Sequence, residues 1–174
     1  FILCDLVDHI ATSHCLIAQW DGFVVDPKRW RPQFLDFDYI GARWPQFVDG
    51  HDVGNGGFSL RSRRLMLASR DPGFQASGAE DLAIGRVNRD WLEARGMRFA
   101  PTALADAFSA ERAGHVATAF GMHGVFNLPA AVGLEDFWEI YRSLDHRASV
   151  WSDLRVGLRA LRQGDQPWRR TWRL

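Results

Sequence analysis

The run Gly54-Asn55-Gly56-Gly57, followed at once by the apolar Phe58-Ser59-Leu60, is the feature that most constrains the fold of this chain. Glycine lets the backbone adopt positive φ angles and lets a ligand approach it closely. Three glycines in four positions are more than an ordinary turn needs. The run is not a phosphate-binding P-loop, because no Gly-Lys-Ser/Thr follows, and it is not a Rossmann fingerprint. We expect a strand that emerges from a glycine loop suited to contact a ligand, with a merely flexible loop as the alternative.

Short apolar segments alternate with helical ones along the chain. Strands are predicted at 15–18, 23–25, 38–42, 58–60 and 97–100, and the continuous apolar run at 15–18 is typical of a buried strand. Helices are predicted at 1–10, 61–70, 80–95, 134–144 and 150–161, with a short helix or turn at 30–37. This alternation predicts an α/β domain in which helices cover a mostly parallel or mixed sheet. Such sheets bind ligands beyond the carboxyl ends of their strands.

The predicted helix at 80–95 carries signals at both ends. Ser77 and Glu80 match the Ser-x-x-Glu capping box, and Gly96 suits the position just after the last turn. The chain begins with Phe1 rather than Met, inside the helix predicted at 1–10. We therefore expect that an N-terminal part of the fold is missing from this sequence.

The formal net charge is zero, so no overall field favours nucleic acid or an anionic membrane as a partner. From residue 142 to the end, however, eight arginines face three aspartates, a local charge of +5. With Trp168 and Trp172 this basic end leaves a nucleic-acid or membrane-surface contact as the weakest interpretation. The eight tryptophans and twelve phenylalanines are expected to pack the core, and the alternative is that some stack on sugars or bases.

Two cysteines, Cys4 and Cys15, are too few for a disulfide framework in a chain of 174 residues. Cys15 lies in an apolar run and is expected to be a small core residue. These features favour a reducing compartment and hence a cytoplasmic location. The sequence has no signal peptide and no stretch of about 18 apolar residues that could span a membrane.

Three positions offer side chains for chemistry. Asp21 follows a predicted strand, where a carboxylate suits a divalent metal or a ribose hydroxyl, although Asp-Gly is also a common turn pair. Glu80 and Asp81 open a predicted helix, where they are either a proton acceptor or ordinary first-turn acids favoured by the helix dipole. His123 is either a metal ligand or a structural histidine. The sequence has no cysteine and histidine spacing typical of zinc, no nucleophile elbow and no Cys/His dyad.

The order of these motifs resembles the catalytic C-terminal half of glycosyltransferases with the GT-A fold. The nearest likeness is to a family of mostly bacterial GT-A-like proteins, through Gln-x-Asp-Gly at 19–22, Asp-Tyr-Ile-Gly-Ala-x-Trp at 38–44 and Gly-Asn-Gly-Gly-Phe-Ser-Leu-Arg at 54–61. More distantly, the run at 56–60, the acid pair and Arg-Gly-Met at 95–97 are similar to β-1,4-galactosyltransferases. In those enzymes a Gly-Gly-Val-Ser strand precedes a Gly-Glu-Asp motif, and a helix ends in Arg-Gly-Met. The resemblance covers roughly residues 15–128.

This resemblance implies a GT-A-like three-layer sandwich with a mixed central sheet. Residues 1–133 would form the C-terminal portion of the catalytic domain. Residues 134–174 would form C-terminal helices and a basic tail rich in Arg and Trp.

The resemblance also implies roles for individual residues. Asp81 would be the general base that deprotonates the acceptor hydroxyl, and Glu80 would help to bind the acceptor. Asp21 and His123 would bind a divalent metal, Mn²⁺ or Mg²⁺, although the Asp-x-Asp motif of such enzymes is reduced here to Gln19-x-Asp21. The residues expected to bind donor and acceptor are Gln19, Asp21, Gly22, Arg43, Trp44, Asn55, Gly56 and Gly57. The charge of the leaving nucleoside diphosphate would be neutralised by the metal, by helix N-termini, or by Arg43, Arg61 or Arg64.

The sequence therefore predicts an enzyme that moves a sugar from a nucleotide-sugar donor to the hydroxyl group of a carbohydrate or another acceptor. The alternative is a catalytically inactive module of the same fold that binds a nucleotide sugar or a carbohydrate. The reduced metal motif favours that alternative, whereas the retained acid pair favours the transferase.

Overall fold

A computed structural model describes residues 1–147 and 150–151. The chain forms two compact units, Phe1–His123 and Gly124–Leu174. Residues 124–133 thus group with the second unit, whereas the sequence assigned them to the first. Most of the helix predicted at 150–161 and the Arg/Trp-rich tail lie outside the described residues.

The main sheet of the first unit is built around β4 (Phe58–Ser62). β1 (His14–Ala18) and β3 (Tyr39–Ile40) flank it, and both pair with it antiparallel. All five residues of β4 are buried, which confirms the predicted strand after the glycine run. β1 is also confirmed as a strand, but it is not buried as predicted: it lies at the sheet edge and Leu16 is 39% exposed.

A second sheet joins three two-residue strands, β2 (Phe23–Val24), β6 (Gly121–Met122) and β5 (Ser109–Ala110), in that order. β2 pairs with β6 antiparallel, and β5 pairs with β6 parallel. The described part of the chain is therefore mixed α/β with two small sheets, and it lacks the single mixed central sheet that the sequence predicted. Residues 97–100, predicted as a strand, make only one isolated bridge, between Tyr39 and Phe99.

Both faces of the main sheet are covered by apolar side chains. Along β4, Phe58 and Leu60 point to one face, since side chains of a strand alternate. There they join a cluster completed by Phe34, Ile40, Ala100, Phe108 and Phe120. Tyr39 belongs to a second cluster with Leu65, Phe74, Ala83, Ile84, Leu92 and Phe99. The phenylalanines therefore serve mainly as core residues, as expected.

The helices are short. The α-helices are α1 (Arg63–Ala68), α2 (Glu80–Leu82), α3 (Arg89–Glu93), α4 (Thr102–Phe108), α5 (Leu128–Val132) and α6 (Leu134–Ser143). Short 3-10 segments lie at Leu6–His9, Pro27–Arg29, Pro32–Asp36 and Val125–Asn127. In the second unit, α6 confirms the helix predicted at 134–144 and buries Phe137 and Tyr141.

The helix predicted at 80–95 is interrupted. α2 continues into a π-helical turn (Ala83–Val87), and Asn88 then separates it from α3. The Asn88 side chain donates to the carbonyls of Gln75 and Ala83, both at 2.9 Å, so it ties the helix to the preceding loop. The predicted capping box is wrong as well. Ala79 is the N-cap and no side chain caps it, because Glu80 binds a buried arginine instead.

The helix predicted at 1–10 is reduced to the 3-10 turn at Leu6–His9. The Arg70 guanidinium donates hydrogen bonds to the Cys4 carbonyl and to the Asp8 carboxylate. The Cys4 carbonyl therefore accepts from a side chain and not from the N–H of a helical turn. Both cysteines are free, and Cys15 is only partly buried. Among the described helices, none has the length and apolar character needed to cross a bilayer.

Asp38 anchors the end of β4 opposite to the glycine run. Its side chain, with Asp38 only 4% exposed, accepts from Ser62 Oγ at 2.5 Å, Arg64 Nε at 2.6 Å and the Arg98 N–H at 2.8 Å. Burial opposes ionisation, but these hydrogen bonds outweigh it and hold the pKa of Asp38 below its usual value.

We expect Asp38→Ala to lower the free energy of unfolding by about 3 kcal/mol, because it leaves buried donors without their acceptor. Asp49→Ala is the matched control, since Asp49 is also paired with an arginine but its side chain is 53% exposed. That substitution should cost much less, because water screens an exposed ion pair. Urea unfolding of the two variants measures both values, and equal losses would contradict the assignment.

Candidate active site

Strand pairing brings His123 together with two carboxylates in the first unit. Phe23 of β2 lies opposite Met122 of β6, so Asp21, just before β2, meets His123, just after β6. Ala110 of β5 also lies level with Met122, and the His123 N–H donates to the Ala110 carbonyl at 2.9 Å. Glu111 and His123 therefore follow neighbouring parallel strands at the same edge.

The two ring nitrogens of His123 face different groups. Nε2 lies 3.3 Å from Asp21 Oδ1 and 3.2 Å from Gln19 Oε1, whereas Nδ1 lies 3.5 Å from Glu111 Oε1. The side chains of His123, Asp21 and Glu111 are only 14%, 13% and 8% exposed. Gln19 continues the β1–β4 ladder, because its N–H donates to the Gly57 carbonyl at 2.8 Å. Gln19, Asp21, Glu111 and His123 form what we call the histidine cluster.

The charge on His123 follows from these neighbours. Burial disfavours the imidazolium, but hydrogen bonds to Asp21 and Glu111 and their negative charges outweigh burial and raise the pKa of His123 to about 9. Without a metal, the ring is therefore an imidazolium held between two carboxylates at neutral pH.

The donor atoms around Nε2 fit a divalent cation. Nε2 carries one proton at most, yet two oxygens lie within 3.3 Å of it. Bonds of about 2.1 Å put neighbouring ligands about 3 Å apart, which is close to these separations. A cation in place of that proton would contact Gln19, Asp21 and His123 at once. An imidazole with two oxygens suits Mn²⁺ better than Mg²⁺, which prefers oxygen ligands alone.

The glycines of the 54–57 run make room for the chain's own side chains. A β-carbon on Gly57 would lie 2.1 Å from His123 Nε2 and 2.3 Å from two ring carbons. A β-carbon on Gly56 would lie 2.7 Å from Glu80 Oε1 and 2.9 Å from Asp81 Cβ. Gly54 packs in the same way against the ring of Trp44. None of the three has positive φ, so close approach is what requires glycine here.

The acid pair is supported by a buried arginine. Arg61 is 1% exposed, donates from Nη2 to Glu80 Oε1 at 2.5 Å, and donates from Nε to Ser59 Oγ at 3.0 Å. Asp81 Oδ2 accepts from the Gly56 N–H at 3.3 Å. Burial and the adjacent charge of Glu80 raise the pKa of Asp81 above 3.8, against the lowering effect of its backbone hydrogen bonds. A half-buried carboxylate of raised pKa is suited to accept a proton.

The other expected binding residues lie around this core of the site. Asn55 is buried and its Oδ1 accepts from the Gly57 N–H at 3.1 Å, so its amide braces the glycine run. Gly22 is also buried, with its Cα beside the Gly57 carbonyl. Arg43 pairs with Asp106 at 3.2 Å. Trp44 is 5% exposed and packs on Gly54 and Gly85. Arg43 and Trp44 thus have protein partners outside the histidine cluster.

The three arginines expected to neutralise a phosphate are each paired with a carboxylate. Arg61 binds Glu80, Arg43 binds Asp106, and Arg64 binds Asp38 at the opposite end of β4. Arg61 was also predicted to begin the helix at 61–70, and it is instead a buried residue of β4. Each of these arginines therefore compensates a carboxylate of the protein.

Sequence reasoning missed Glu111. It follows a strand of two residues in the segment 102–126, which has no clear periodicity, and only the β5–β6 register places it beside His123. It also missed a surface group in which His51 Nε2 lies 3.7 Å from Asp90 Oδ1 and 3.8 Å from Glu93 Oε2.

The chain matches a family model over more than half of its length. A family model described as "Protein of unknown function (DUF5672)" matches residues 6–123. This range contains the histidine cluster, the glycine run and the acid pair. No curated protein and no solved structure matches the chain.

Proposed function

We propose that this chain, which belongs to the DUF5672 family, is a glycosyltransferase that moves a sugar from a nucleotide-sugar donor to an acceptor hydroxyl. The observation that carries the proposal is the arrangement around two consecutive glycines. Gly56 contacts the acid pair and Gly57 contacts His123. The Cα atoms of consecutive residues are about 3.8 Å apart. The acid pair and the histidine that would bind a metal thus pack against consecutive residues of one glycine run.

Each group then has a chemical task. Asp81 takes the proton of the acceptor hydroxyl as the new bond forms at the anomeric carbon, and the bond from that carbon to the nucleoside diphosphate breaks. Glu80, held by Arg61, orients the acceptor and keeps the pKa of Asp81 raised. Gln19, Asp21 and His123 would hold a divalent cation, which would neutralise charge on the leaving diphosphate.

The main competing function is a binding module that holds a nucleotide sugar or a carbohydrate without turnover. Gln19 favours it, because this position supplies a neutral amide where the motif of such transferases has a carboxylate. In addition, the carboxylates of Asp21 and Glu111 already compensate the positive charge of the His123 imidazolium, so the cluster has its charges paired without a metal. The raised pKa of Asp81 favours the transferase, because a binding module has no need of a proton acceptor.

The test is calorimetric titration of the protein with a panel of nucleotide sugars, with and without Mn²⁺, together with an assay for donor hydrolysis. We expect one donor to bind, to bind more tightly with Mn²⁺, and to be hydrolysed slowly. Binding without hydrolysis or transfer to any offered acceptor would favour the binding module. Failure of every donor to bind would contradict both.

The pH dependence of turnover should report the titration of the Asp81 carboxyl group. Since a base works only when deprotonated, activity should rise with pH through a group whose pKa lies above 3.8, the usual value for aspartate. Glu80→Gln removes a neighbouring charge that raises this pKa, so the acid limb of kcat/KM should move to lower pH. An acid limb that is unchanged in Glu80→Gln would contradict the coupling of the two carboxylates.

A further inference from the structure

Glu111 is a buried carboxylate to which the proposed reaction assigns no step. Its side chain is 8% exposed, and its Oε1 lies 3.5 Å from His123 Nδ1. Burying a carboxylate is costly unless a cation or hydrogen-bond donors compensate it. The β5–β6 register holds Glu111 level with His123, so the contact is built into the sheet.

The ring of His123 has one nitrogen for each neighbour. Nε2 faces the oxygens of Gln19 and Asp21, and Nδ1 faces Glu111. An imidazole that binds a metal through Nε2 keeps its remaining proton on Nδ1. A carboxylate that accepts that proton fixes the tautomer, orients the ring and makes Nε2 a better ligand.

We infer that Glu111 is a positioning residue that holds His123 with Nδ1 protonated and Nε2 directed at a divalent cation beside Asp21. The inference rests on the proposed function, since it requires a metal at the histidine cluster. Glu111 does not touch the metal or the substrate in this arrangement, and it acts through the imidazole alone.

The packing of the His123 ring does not by itself fix which way the ring is turned. Gly57 approaches three atoms of the imidazole closely on one side, which limits where the ring can move but does not choose between its nitrogens. A ring turned by 180° about its Cβ–Cγ bond occupies nearly the same space. Glu111 distinguishes the two orientations together with Gln19 and Asp21, because a flipped ring would present carbon atoms to all three.

The test measures Mn²⁺ affinity directly, by electron paramagnetic resonance of free Mn²⁺, in the wild type, Glu111→Ala and Glu111→Gln. We expect Glu111→Ala to bind roughly 10 to 100 times more weakly than the wild type. Glu111→Gln keeps an oxygen acceptor for Nδ1–H but lacks the charge, so its affinity should lie between the two. Glu139→Gln, at an exposed position of α6, is the control and should bind as the wild type does.

The outcomes separate this inference from the proposed function. A wild type that binds Mn²⁺, with folded Glu111 variants of equal affinity, would overturn the role of Glu111 and leave the metal site standing. A wild type that binds no Mn²⁺ would overturn the metal site and the role of Glu111 together. A merely structural glutamate would lower the melting temperature of the variants without changing their Mn²⁺ affinity. If Glu111→Ala does not fold, the intermediate affinity of Glu111→Gln decides the question.

Discussion

Asp81→Asn is expected to reduce glycosyl transfer by about 10² to 10⁴, the usual contribution of a general base, while the protein stays folded. Asparagine has nearly the same shape, and its amide oxygen can still accept from the Leu82 N–H, which lies 2.8 Å from Asp81 Oδ1. The substitution removes a negative charge next to Glu80 but also removes the acceptor of the Gly56 N–H, which lies 3.3 Å from Asp81 Oδ2. These effects oppose each other, so we expect stability to change little. What is lost is the capacity to take the acceptor proton.

The measurement is single-turnover transfer with the donor identified by titration, at saturating donor. Asp90→Asn is the control, because the Asp90 side chain is 90% exposed on α3 and should leave the rate unchanged. Mn²⁺ affinity should be the same in Asp81→Asn and the wild type, since Asp81 is not a metal donor. Near-full turnover in Asp81→Asn would remove Asp81 from the mechanism and leave the histidine cluster without its proposed base.

The parts of the fold that sequence predicts well are those with a strong local signal. β4 begins with an apolar run that directly follows the glycines, and α6 has an apolar face with helical spacing, so each could be located from its own residues. The 80–95 segment also has helical spacing, but the side chain of Asn88 bonds the backbone of Gln75 and breaks the helix. Such a long-range hydrogen bond leaves no periodic trace in the sequence.

The candidate site likewise contains residues that the sequence indicates and residues that it does not. Glycines 54, 56 and 57 stand out in the sequence, and they do sit at the centre of the site. The close approach that was expected of a ligand is made here by the side chains of Trp44, the acid pair and His123, and none of the three glycines has a positive φ angle. Glu111 could not be found at all, because its position depends on the register of two-residue strands that carry almost no signal of their own.

Arg61 shows that an arginine named from the sequence need not be available to bind a phosphate. It was one of three arginines expected near a diphosphate, yet its guanidinium is buried between Tyr39 and Glu80. There its positive charge compensates the negative charge of Glu80 and so reduces the repulsion between the Glu80 and Asp81 carboxylates. A buried cation that is committed to a carboxylate supports the acid pair and is not available to a ligand.

Gly57→Ala should disable the histidine cluster although none of the residues of the cluster is itself changed. The new β-carbon would overlap the imidazole of His123, with three ring atoms 2.1 to 2.3 Å away, so the ring has to leave its place between Asp21 and Glu111. We expect Mn²⁺ affinity to fall by roughly 100-fold or more, beyond the range for loss of an outer contact alone. Overpacking should also lower the free energy of unfolding by about 1 to 3 kcal/mol.

The decisive comparison is a double variant, because it tests whether Gly57→Ala acts on Mn²⁺ binding through the displaced ring or through Gln19, whose N–H donates to the Gly57 carbonyl. In a His123→Ala background the added methyl group has room, so Gly57→Ala should cost little further stability and no further Mn²⁺ affinity. Calorimetry and urea unfolding of the four proteins give the coupling energy between the two positions. Additive losses would mean that Gly57→Ala damages the β1–β4 ladder itself, and the close contact between Gly57 and His123 would then not explain why this position is glycine.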